Sequence, residues 1–592
     1  MNNNELAKHY FSEALVKYKN KNYKEAIKSL TISLAYAPDR LSILTNLTAS
    51  YIKLSKFEDA ISIIEKIHKL YPNDHINYLN QGNIYEKQTR FIEALSCYSN
   101  SLEINNEYTE GLFNRANILT LLNRLDEALN DYEKAFLINP EYEYLLGTVI
   151  HTRMFLCMWE NFDENLKKLI IEIKNKTKST PCFPLLALTD SLELQLQVAK
   201  IRVNDLYPLD NSLGEIKNTK KKRIRIGYFS ADFHNHATSY LMAQLFEMHD
   251  KTKYEVFAFS FGPDKQDEMR IRLIKSFEHF YEISKYTSKE IAVLSRTLGI
   301  DIAIDLKGHT LGHRIDIFSF RAAPIQISYL GYPGTSGASY IDYVIADSTV
   351  IPENSQKFYT EKIIYMPGSY QVNDNSKIIG DINFSRENFG LPDNKFIYCC
   401  FNNNFKILPF VFDSWLNILN QVPNSVLWLL KDNIVSQINI IKTAKEKGFD
   451  TNRIIFADRV ELDIHLARHC LADVFLDTFP YNAHTTTSDA LWAGLPVITR
   501  TGESFASRVA ASLLKSIGLN ELVASNQNEY ENIAVHLANN EKKLQFIKNK
   551  LKDNLKTTSL FDTQKFTKNI EEAYKNVYEI YKLGKPVDNF YV

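Results

Sequence analysis

"LADVFLDTFPYNAHTTTSDALWAGLPVITR", residues 471–500, holds in one stretch the pattern that decides the fold of the larger part of this chain. An apolar run, "VFLDTF", reads as a buried strand. The polar segment "NAHTTTSDAL" follows it and leads into an apolar run of helical character. "PVITR" then reads as a second strand. Strand, helix, strand within some thirty residues is the mark of a parallel sheet built from βαβ units. The polar segment is richer than a helix start requires. One Ser or Thr caps a helix, yet His484, Thr485, Thr486 and Thr487 supply four donor side chains in a row. Donors gathered at a helix N-terminus suit an anion.

The same alternation runs outward in both directions. Upstream lie the strand-like runs "RIRIGYFSA", "YEVFAFSF", "DIAIDL", "IQISYLGY", "DYVIAD" and "KIIYMPG". A second series follows: "FIYCCFNN", "SVLWLLKD", "RIIFAD", "ADVFLDTF" and "PVITRTG". Two series predict two doubly wound lobes, over 223–385 and 386–560, with a C-terminal helix over 561–592. Such sheets bind ligands beyond the carboxyl ends of their strands. Polar clusters stand at five of those ends: "SADFHNHATSYLM", "KGHTLGHR", "GYPGTSGA", "FNNNFKILP" and "NAHTTTSDAL".

The N-terminal part is different and repetitive. "YKEAIKSL", "FEDAISII", "FIEALSCY" and "LDEALNDY" align with Ala26, Ala60, Ala94 and Ala128, 34 residues apart. Tyr23, Phe57, Phe91 and Leu125 keep the same spacing, as do Pro38, Pro72, Asn106 and Pro140, and Ala14, Thr48, Gly82 and Ala116. Period and landmarks are those of the tetratricopeptide repeat, a helix–turn–helix unit. Small residues let the paired helices approach, and Pro ends the second helix. Four repeats are predicted over 5–143, then a helical connector over 144–222 that ends in the basic linker "NTKKKRIRIG". The fold class is thus α/β preceded by an α-solenoid. Solenoids present a concave binding surface. Asn46, Asn80, Asn83, Asn114 and Asn117 fall on the first helices of the units, where an extended peptide would lie.

Composition narrows the partners. With 592 residues and a formal net charge of -1, the chain has no basic field for nucleic acid or membrane. No apolar run is long enough to span a bilayer. The start, "MNNNELAKHYFSEAL", lacks a basic segment followed by an apolar core, so a cytoplasmic location is expected. The six cysteines form no CxxC pair and are expected to be buried thiols.

A diphosphate needs N–H and O–H donors and a cation. The segment 484–487 supplies the donors, and Lys406, after another strand, the cation. GxGxxG after the first strand and GxxxxGK[ST] are both missing. So is an Asp-x-Asp pair to present a divalent metal, and no metal or other cofactor is expected. His234, His236, His309, His313, His465 and His484 all fall in polar segments of the α/β part. The pair His234 and His236 has no nearby Cys or His to complete a zinc set.

These stretches together resemble the protein O-linked N-acetylglucosamine transferases, with their bacterial and SPINDLY-like relatives. The resemblance rests on "RIGYFSADFHNHATSYLM", "RAAPIQISYLGYPGTSGASYIDYVIAD", "FNNNFKILPFVFDSWLNILNQVPNSVLWLL" and "LADVFLDTFPYNAHTTTSDALWAGLPVITRTGESFASRVAASLL". It implies a GT-B fold of two Rossmann-like lobes. It also implies metal-independent, inverting transfer of N-acetylglucosamine from UDP-GlcNAc to Ser or Thr hydroxyls of proteins. By motif position, His484, Thr485 and Thr486 match diphosphate ligands and Lys406 the cation on the leaving group. Asn403 stands where animal members carry Gln. Asp489 matches the ribose-binding acid. Arg468 and the backbone near Val460 lie where the family holds uracil, and His465 where it stacks on the nucleotide. His236 matches the histidine at the mouth of the site, a candidate base or sugar contact. "NHATSY" places Tyr240 where animal members have a second histidine. The SPINDLY branch uses a GDP-fucose donor and lacks a histidine at the His484 position, so "HTTTSDALWAGLP" leans toward a UDP sugar. Another UDP-hexose, GDP-fucose, or an idle adaptor built on the repeats are the alternatives. The resemblance implies a protein or peptide acceptor on the repeats, and a homodimer is compatible with it.

Overall fold

The computed structural model describes residues 2–216, 221–381 and 384–592. It separates into two compact units, Met1–Thr152 and Arg153–Val592. Residues 218–220 of the basic linker lie outside the described residues.

The first unit is made of helical hairpins. Its repeat helices are α1 (Asn3–Lys19), α2 (Tyr23–Tyr36), α3 (Leu41–Lys53), α4 (Phe57–Leu70), α5 (His75–Lys87), α6 (Phe91–Ile104), α7 (Thr109–Leu121) and α8 (Leu125–Ile138). Ala26, Ala60, Ala94 and Ala128 are all fully buried. At these positions a larger side chain would push the paired helices apart. Gly82 shows how close they come: a Cβ there would stand 2.4 Å from the Tyr98 ring. Each hairpin turns through one left-handed residue, Lys21, Ser55, Thr89 or Asn123, again 34 apart, with φ of 59°, 56°, 60° and 59°. The asparagines of the first helices are partly engaged inside the solenoid. Asn83 accepts from the Tyr98 hydroxyl at 2.8 Å and from Asn114 Nδ2 at 3.2 Å, and Asn117 accepts from the Tyr132 hydroxyl at 2.7 Å. Asn80 is buried, and its Nδ2 has no partner among the described residues. Asn46 donates to the Ser42 carbonyl on its own helix.

In the second unit, helices Phe162–Lys174, Cys182–Leu188 and Leu192–Leu206 precede two parallel sheets. The strands are β1 (Ile224–Ser230), β2 (Tyr254–Ser260), β3 (His279–Glu282), β4 (Ile302–Asp305), β5 (Ile325–Ser328), β6 (Tyr343–Ala346), β7 (Lys362–Tyr365), β8 (Phe396–Cys400), β9 (Ser425–Leu430), β10 (Ile454–Ala457), β11 (Val474–Leu476), β12 (Val497–Arg500), β13 (Val523–Ala524) and β14 (Phe590–Tyr591). The first sheet runs β14-β7-β6-β5-β4-β1-β2-β3 and the second β10-β9-β8-β11-β12-β13. In each, the first strand of the series pairs with strands on either side, and strand order reverses there. That reversal opens a crevice between β1 and β4 in one lobe and between β8 and β11 in the other.

Both faces of the first sheet are covered, as a parallel sheet requires. Along β1, Phe229 meets Phe318 at 5.3 Å on one face. Its neighbour Tyr228 points the other way, meets Phe246 at 4.9 Å, and shares a hydrogen bond with Tyr574 at 3.1 Å. Tyr574 belongs to the C-terminal helix Thr563–Lys582, which returns to the first lobe. On that helix Glu571 accepts from His249 Nδ1 and from the Asp250 amide. The tail, expected only as a helix, also adds β14 beside β7. The lobes are tied by Ser512 donating to Asp347, Gln371 to Ser488 and Arg508 to the Thr349 carbonyl, and by Tyr370 against Phe505. All six cysteines are free; Cys470 is exposed, against the expectation of burial, because it sits in a short turn after the helix Leu462–Arg468. Among the described residues no helix is long and apolar enough to cross a membrane.

Candidate active site

The crevice of the second lobe gathers the segments that follow β8 and β11. After β8 the chain makes a short turn, Asn404–Lys406. After β11 it runs through 477–484 into the helix Thr485–Trp492. Adjacent parallel strands deliver both segments to the same edge, and hydrogen bonds lock them together. Lys406 Nζ donates to the Asn482 carbonyl at 2.9 Å and lies 4.0 Å from the centre of the Tyr481 ring. Thr486 Oγ1 donates to Asn402 Oδ1 at 2.6 Å, and Asn402 Nδ2 donates to Thr478 Oγ1 at 2.8 Å.

Asp477 anchors this loop. Its carboxylate is 3% exposed and accepts from the Ala483 amide at 2.6 Å, the Thr478 amide at 2.7 Å and Thr499 Oγ1 at 2.6 Å. Burial pushes the Asp477 carboxyl up, against the pull of these donors and of Lys406. Burial also pulls the Lys406 ammonium down to about 8, with the Asp477 charge opposing. Lys406 is therefore a buried cation that gives up its proton more readily than an exposed lysine.

The run His484–Thr487 divides its labour. His484 stands just before the helix, and its Nε2 donates to the Ala506 carbonyl at 3.1 Å. A carbonyl only accepts, so the proton is on Nε2 and Nδ1 is left as an acceptor. Burial and the nearby Lys406 keep this imidazole neutral. Its Nδ1 can therefore accept from a hydroxyl as it stands, and can donate to a phosphate only once protonated from solvent, which a bound anion favours. Thr487 turns inward to the Ala483 carbonyl. The Thr485 hydroxyl makes no hydrogen bond among the described residues, and it stands at the first position of the helix, beside the free amides.

Asp489 is 5% exposed and paired with Lys377 at 3.0 Å. Lys377 comes from the segment joining the lobes, and its carbonyl accepts from Trp492 Nε1 at 3.2 Å. Arg468 is 1% exposed, stacked 4.5 Å from the Phe401 ring centre, and donates to the Asp458 carbonyl and to His465 Nδ1. It thereby fixes the turn that carries Val460, which is half-exposed. Burial lowers Arg468 to about 10 and His465 to about 2. Asn403 lies at the rim, its Oδ1 3.4 Å from Arg459.

The crevice of the first lobe holds a buried ion pair between Lys307, after β4, and Asp232, after β1, with Nζ 2.7 and 2.9 Å from the two carboxylate oxygens. His236 caps the helix Ala237–Met248: its Nδ1 accepts from the Thr238 amide at 3.2 Å, with Asp232 at 3.4 Å. The amide can only donate, which puts the ring's own proton on Nε2. Burial holds His236 down to about 4, so it is neutral near pH 7. Its free nitrogen is committed to a helix cap, an arrangement that suits contact with a hydroxyl better than proton abstraction. Burial raises the phenol of Tyr240, four residues on, helped by the Asp267 and Glu268 carboxylates and then by Glu461 and Asp489 of the other lobe. His309 donates Nε2–H to the Ser336 carbonyl at 2.7 Å, and the rings of His309 and His313 are 5.8 Å apart. The sequence reading passed over Asp232, Lys307, Asn402, Asp477 and Asn482. The first four follow strands β1, β4, β8 and β11 within two residues or so, which is the signal that singles them out.

Residues 193–384 and 380–570 match the sequence model of glycosyl transferase family 41, and residues 109–142 that of the tetratricopeptide repeat. The chain is 36% identical over 466 residues to the probable UDP-N-acetylglucosamine–peptide N-acetylglucosaminyltransferase SEC of Arabidopsis thaliana, covering 75% of this chain and 48% of that protein. It is 28% identical over 563 residues to the UDP-N-acetylglucosamine–peptide N-acetylglucosaminyltransferase of Caenorhabditis elegans, covering 73% and 49%. A SPINDLY protein of Solanum lycopersicum is 30% identical over 390 residues, covering 64% and 41%. The chain spans about half the length of these curated relatives or less. In three dimensions the chain is similar to a mutant O-GlcNAc transferase of Thermobaculum terrenum, with a TM-score of 0.61 and 23% identity over 98% of this chain and 99% of that one. The family model takes in both crevices, and on that match the chain belongs to glycosyl transferase family 41.

Proposed function

We propose that this chain transfers N-acetylglucosamine from UDP-GlcNAc to Ser or Thr hydroxyls of a protein acceptor, with inversion at the anomeric carbon. The observation that carries the reading is the joined pair of loops in the second lobe: Lys406 fixed on Asn482, and Thr486 on Asn402, at the start of the helix Thr485–Trp492. Cation, hydroxyls and helix amides converge where a diphosphate would sit. The names carried by the relatives from Arabidopsis thaliana and Caenorhabditis elegans point to the same donor and a peptide acceptor. His484 would border the diphosphate, and His465, Arg468, Val460 and the Asp489–Lys377 pair would surround the nucleoside.

In the reaction the acceptor oxygen bonds to C1 as the bond from C1 to the β-phosphate oxygen breaks. The electron pair leaves on that oxygen, and the hydroxyl proton passes to an acceptor group or solvent. Charge grows at the leaving oxygen, so donors already in place there favour the transition state over the ground state. Lys406 is the principal donor. Its ammonium lies over the Tyr481 ring and is anchored on the Asn482 carbonyl, so little reorganisation is required. His236 serves as a sugar or acceptor contact. The tetratricopeptide repeats supply acceptor capture.

Purified protein incubated with UDP-GlcNAc, other UDP-hexoses and GDP-fucose, with release of nucleotide and sugar transfer followed by mass spectrometry, tests the reading. UDP-GlcNAc is expected to turn over fastest. Lys406→Ala should lower kcat by roughly 100- to 1,000-fold, the range for loss of a main oxyanion donor, with the melting temperature retained. Preference for GDP-fucose would transfer the reading to the SPINDLY-like alternative, and folded protein inert with every donor would leave the adaptor reading.

A further inference from the structure

We propose that Asp190, in the turn between the helices Cys182–Leu188 and Leu192–Leu206, is a positioning residue for the donor crevice; this rests on the donor reading above. Asp190 lies far in sequence from every residue of the crevice. Its carboxylate nevertheless clasps the segment 502–507 of the second lobe. It accepts from the Glu503 amide at 2.7 Å, the Ser504 amide at 2.9 Å and Ser507 Oγ at 2.5 Å. The approach is close enough that a Cβ on Gly502 would stand 2.3 Å from Asp190 Oδ2.

The clasped segment is the one that shapes the crevice. Its Ala506 carbonyl accepts from two residues at once: the Asn482 amide at 3.0 Å and His484 Nε2 at 3.1 Å. The Asn482 carbonyl in turn accepts from Lys406 Nζ. A chain of hydrogen bonds therefore runs from Asp190 through 503–507 to Ala506, and from there to both the proposed diphosphate cation and the His484 tautomer. Segment 502–507 contains one short turn, Phe505–Ser507, and is closed on itself by the Gly502 amide donating to the Ser507 carbonyl at 3.1 Å and by Arg508 donating to the Gly502 carbonyl. Three bonds from one carboxylate give it a fixed frame, two of them charge-assisted bonds to backbone amides. Without that frame the segment keeps its internal bonds but loses its tie to the connector, so the Ala506 carbonyl can shift with it and loosen the common reference of Asn482, His484 and Lys406.

A role limited to docking the connector predicts something different. Other contacts dock it as well, such as Asn439 Nδ2 donating to the Leu156 carbonyl at 2.8 Å. The full chain is compared as wild type, Asp190→Ala, Asp190→Asn and the docking control Asn439→Ala. The first readout is hydrogen exchange at the Asn482 amide, which Asp190 does not touch. It is expected to quicken by roughly tenfold or more in Asp190→Ala, to be restored in part by Asp190→Asn, and to stay at the wild-type rate in Asn439→Ala. The second readout is UDP affinity by calorimetry, expected to weaken by roughly tenfold or more in Asp190→Ala alone. Unchanged Asn482 exchange in Asp190→Ala, or an equal change in Asn439→Ala, overturns the proposal. Wild-type protein that binds no UDP overturns the donor reading only, since the exchange measurement still decides whether Asp190 sets the geometry of the crevice.

Discussion

At the scale of single residues, the proposed transfer depends most on the protonation state of Lys406. Its ammonium is drawn down to about 8 by burial, so it is charged below that pH and neutral above it. kcat/KM for the donor, which reports the free enzyme, is therefore expected to fall as pH rises through about 8. A bound diphosphate favours the charged form, so the matching limb in kcat lies at higher pH. Lys406→Arg keeps its charge across this range and should remove the limb while lowering the rate, because a planar guanidinium does not reproduce the contact with Asn482. The same limb persisting in Lys406→Arg would assign it to another group. The lysine was visible in "FNNNFK", but its depressed proton affinity was not. That comes from enclosure by segments some 70 or more residues away in sequence, with the Asp477 charge opposing it, which no local pattern reports.

At the scale of elements, the repeat hairpins show both what periodicity reveals and what it hides. The 34-residue spacing of Ala26, Ala60, Ala94 and Ala128 was read directly, because a buried small residue is a chemical landmark. The left-handed turn at Lys21, Ser55, Thr89 and Asn123 has the same period but no common residue, so it left no pattern. Thr89 is the most strained of the four, being β-branched at φ of 60°. Thr89→Gly should stabilise the first unit by about 0.5–1 kcal/mol, seen as a higher midpoint in thermal or urea unfolding. Gly82→Ala should act in the opposite sense, costing about 1–3 kcal/mol because the Tyr98 ring must move. A neutral Gly82→Ala would mean that Tyr98 is free to rotate away. Strands β3, β13 and β14 escaped the sequence reading for a related reason. They are two- to four-residue edge strands whose pairing, rather than their composition, defines them.

At the scale of the whole molecule, the last thirty residues complete the first lobe. Phe566, Ile570, Ala573, Tyr574 and Val577 bury one face of the C-terminal helix, and Tyr228, Phe246 and His249 lie beneath it. Ending the chain at Ser559 should uncover that face and yield aggregated protein, or a first lobe without cooperative unfolding, by size exclusion and circular dichroism. Tyr574→Phe is the mild version and should cost about 1 kcal/mol, one hydrogen bond. A monomeric truncated chain with the full melting temperature would show that the helix contributes nothing to the lobe.

The sequence by itself determined the solenoid, the two parallel sheets and the strand ends at which chemistry gathers. Hydrophobic period and strand-end polarity are local properties, written within ten to thirty residues. Tertiary structure alone decided which polar groups are spent on structure and which remain for a ligand. His484 gives Nε2 to Ala506, Thr487 turns inward and Asp489 is paired with Lys377, while the Thr485 hydroxyl has no partner among the described residues. A hydrogen bond is made between groups that the sheets bring together from distant parts of the chain, and its partner is set by the crossing of strands at the crevice rather than by the residues beside it.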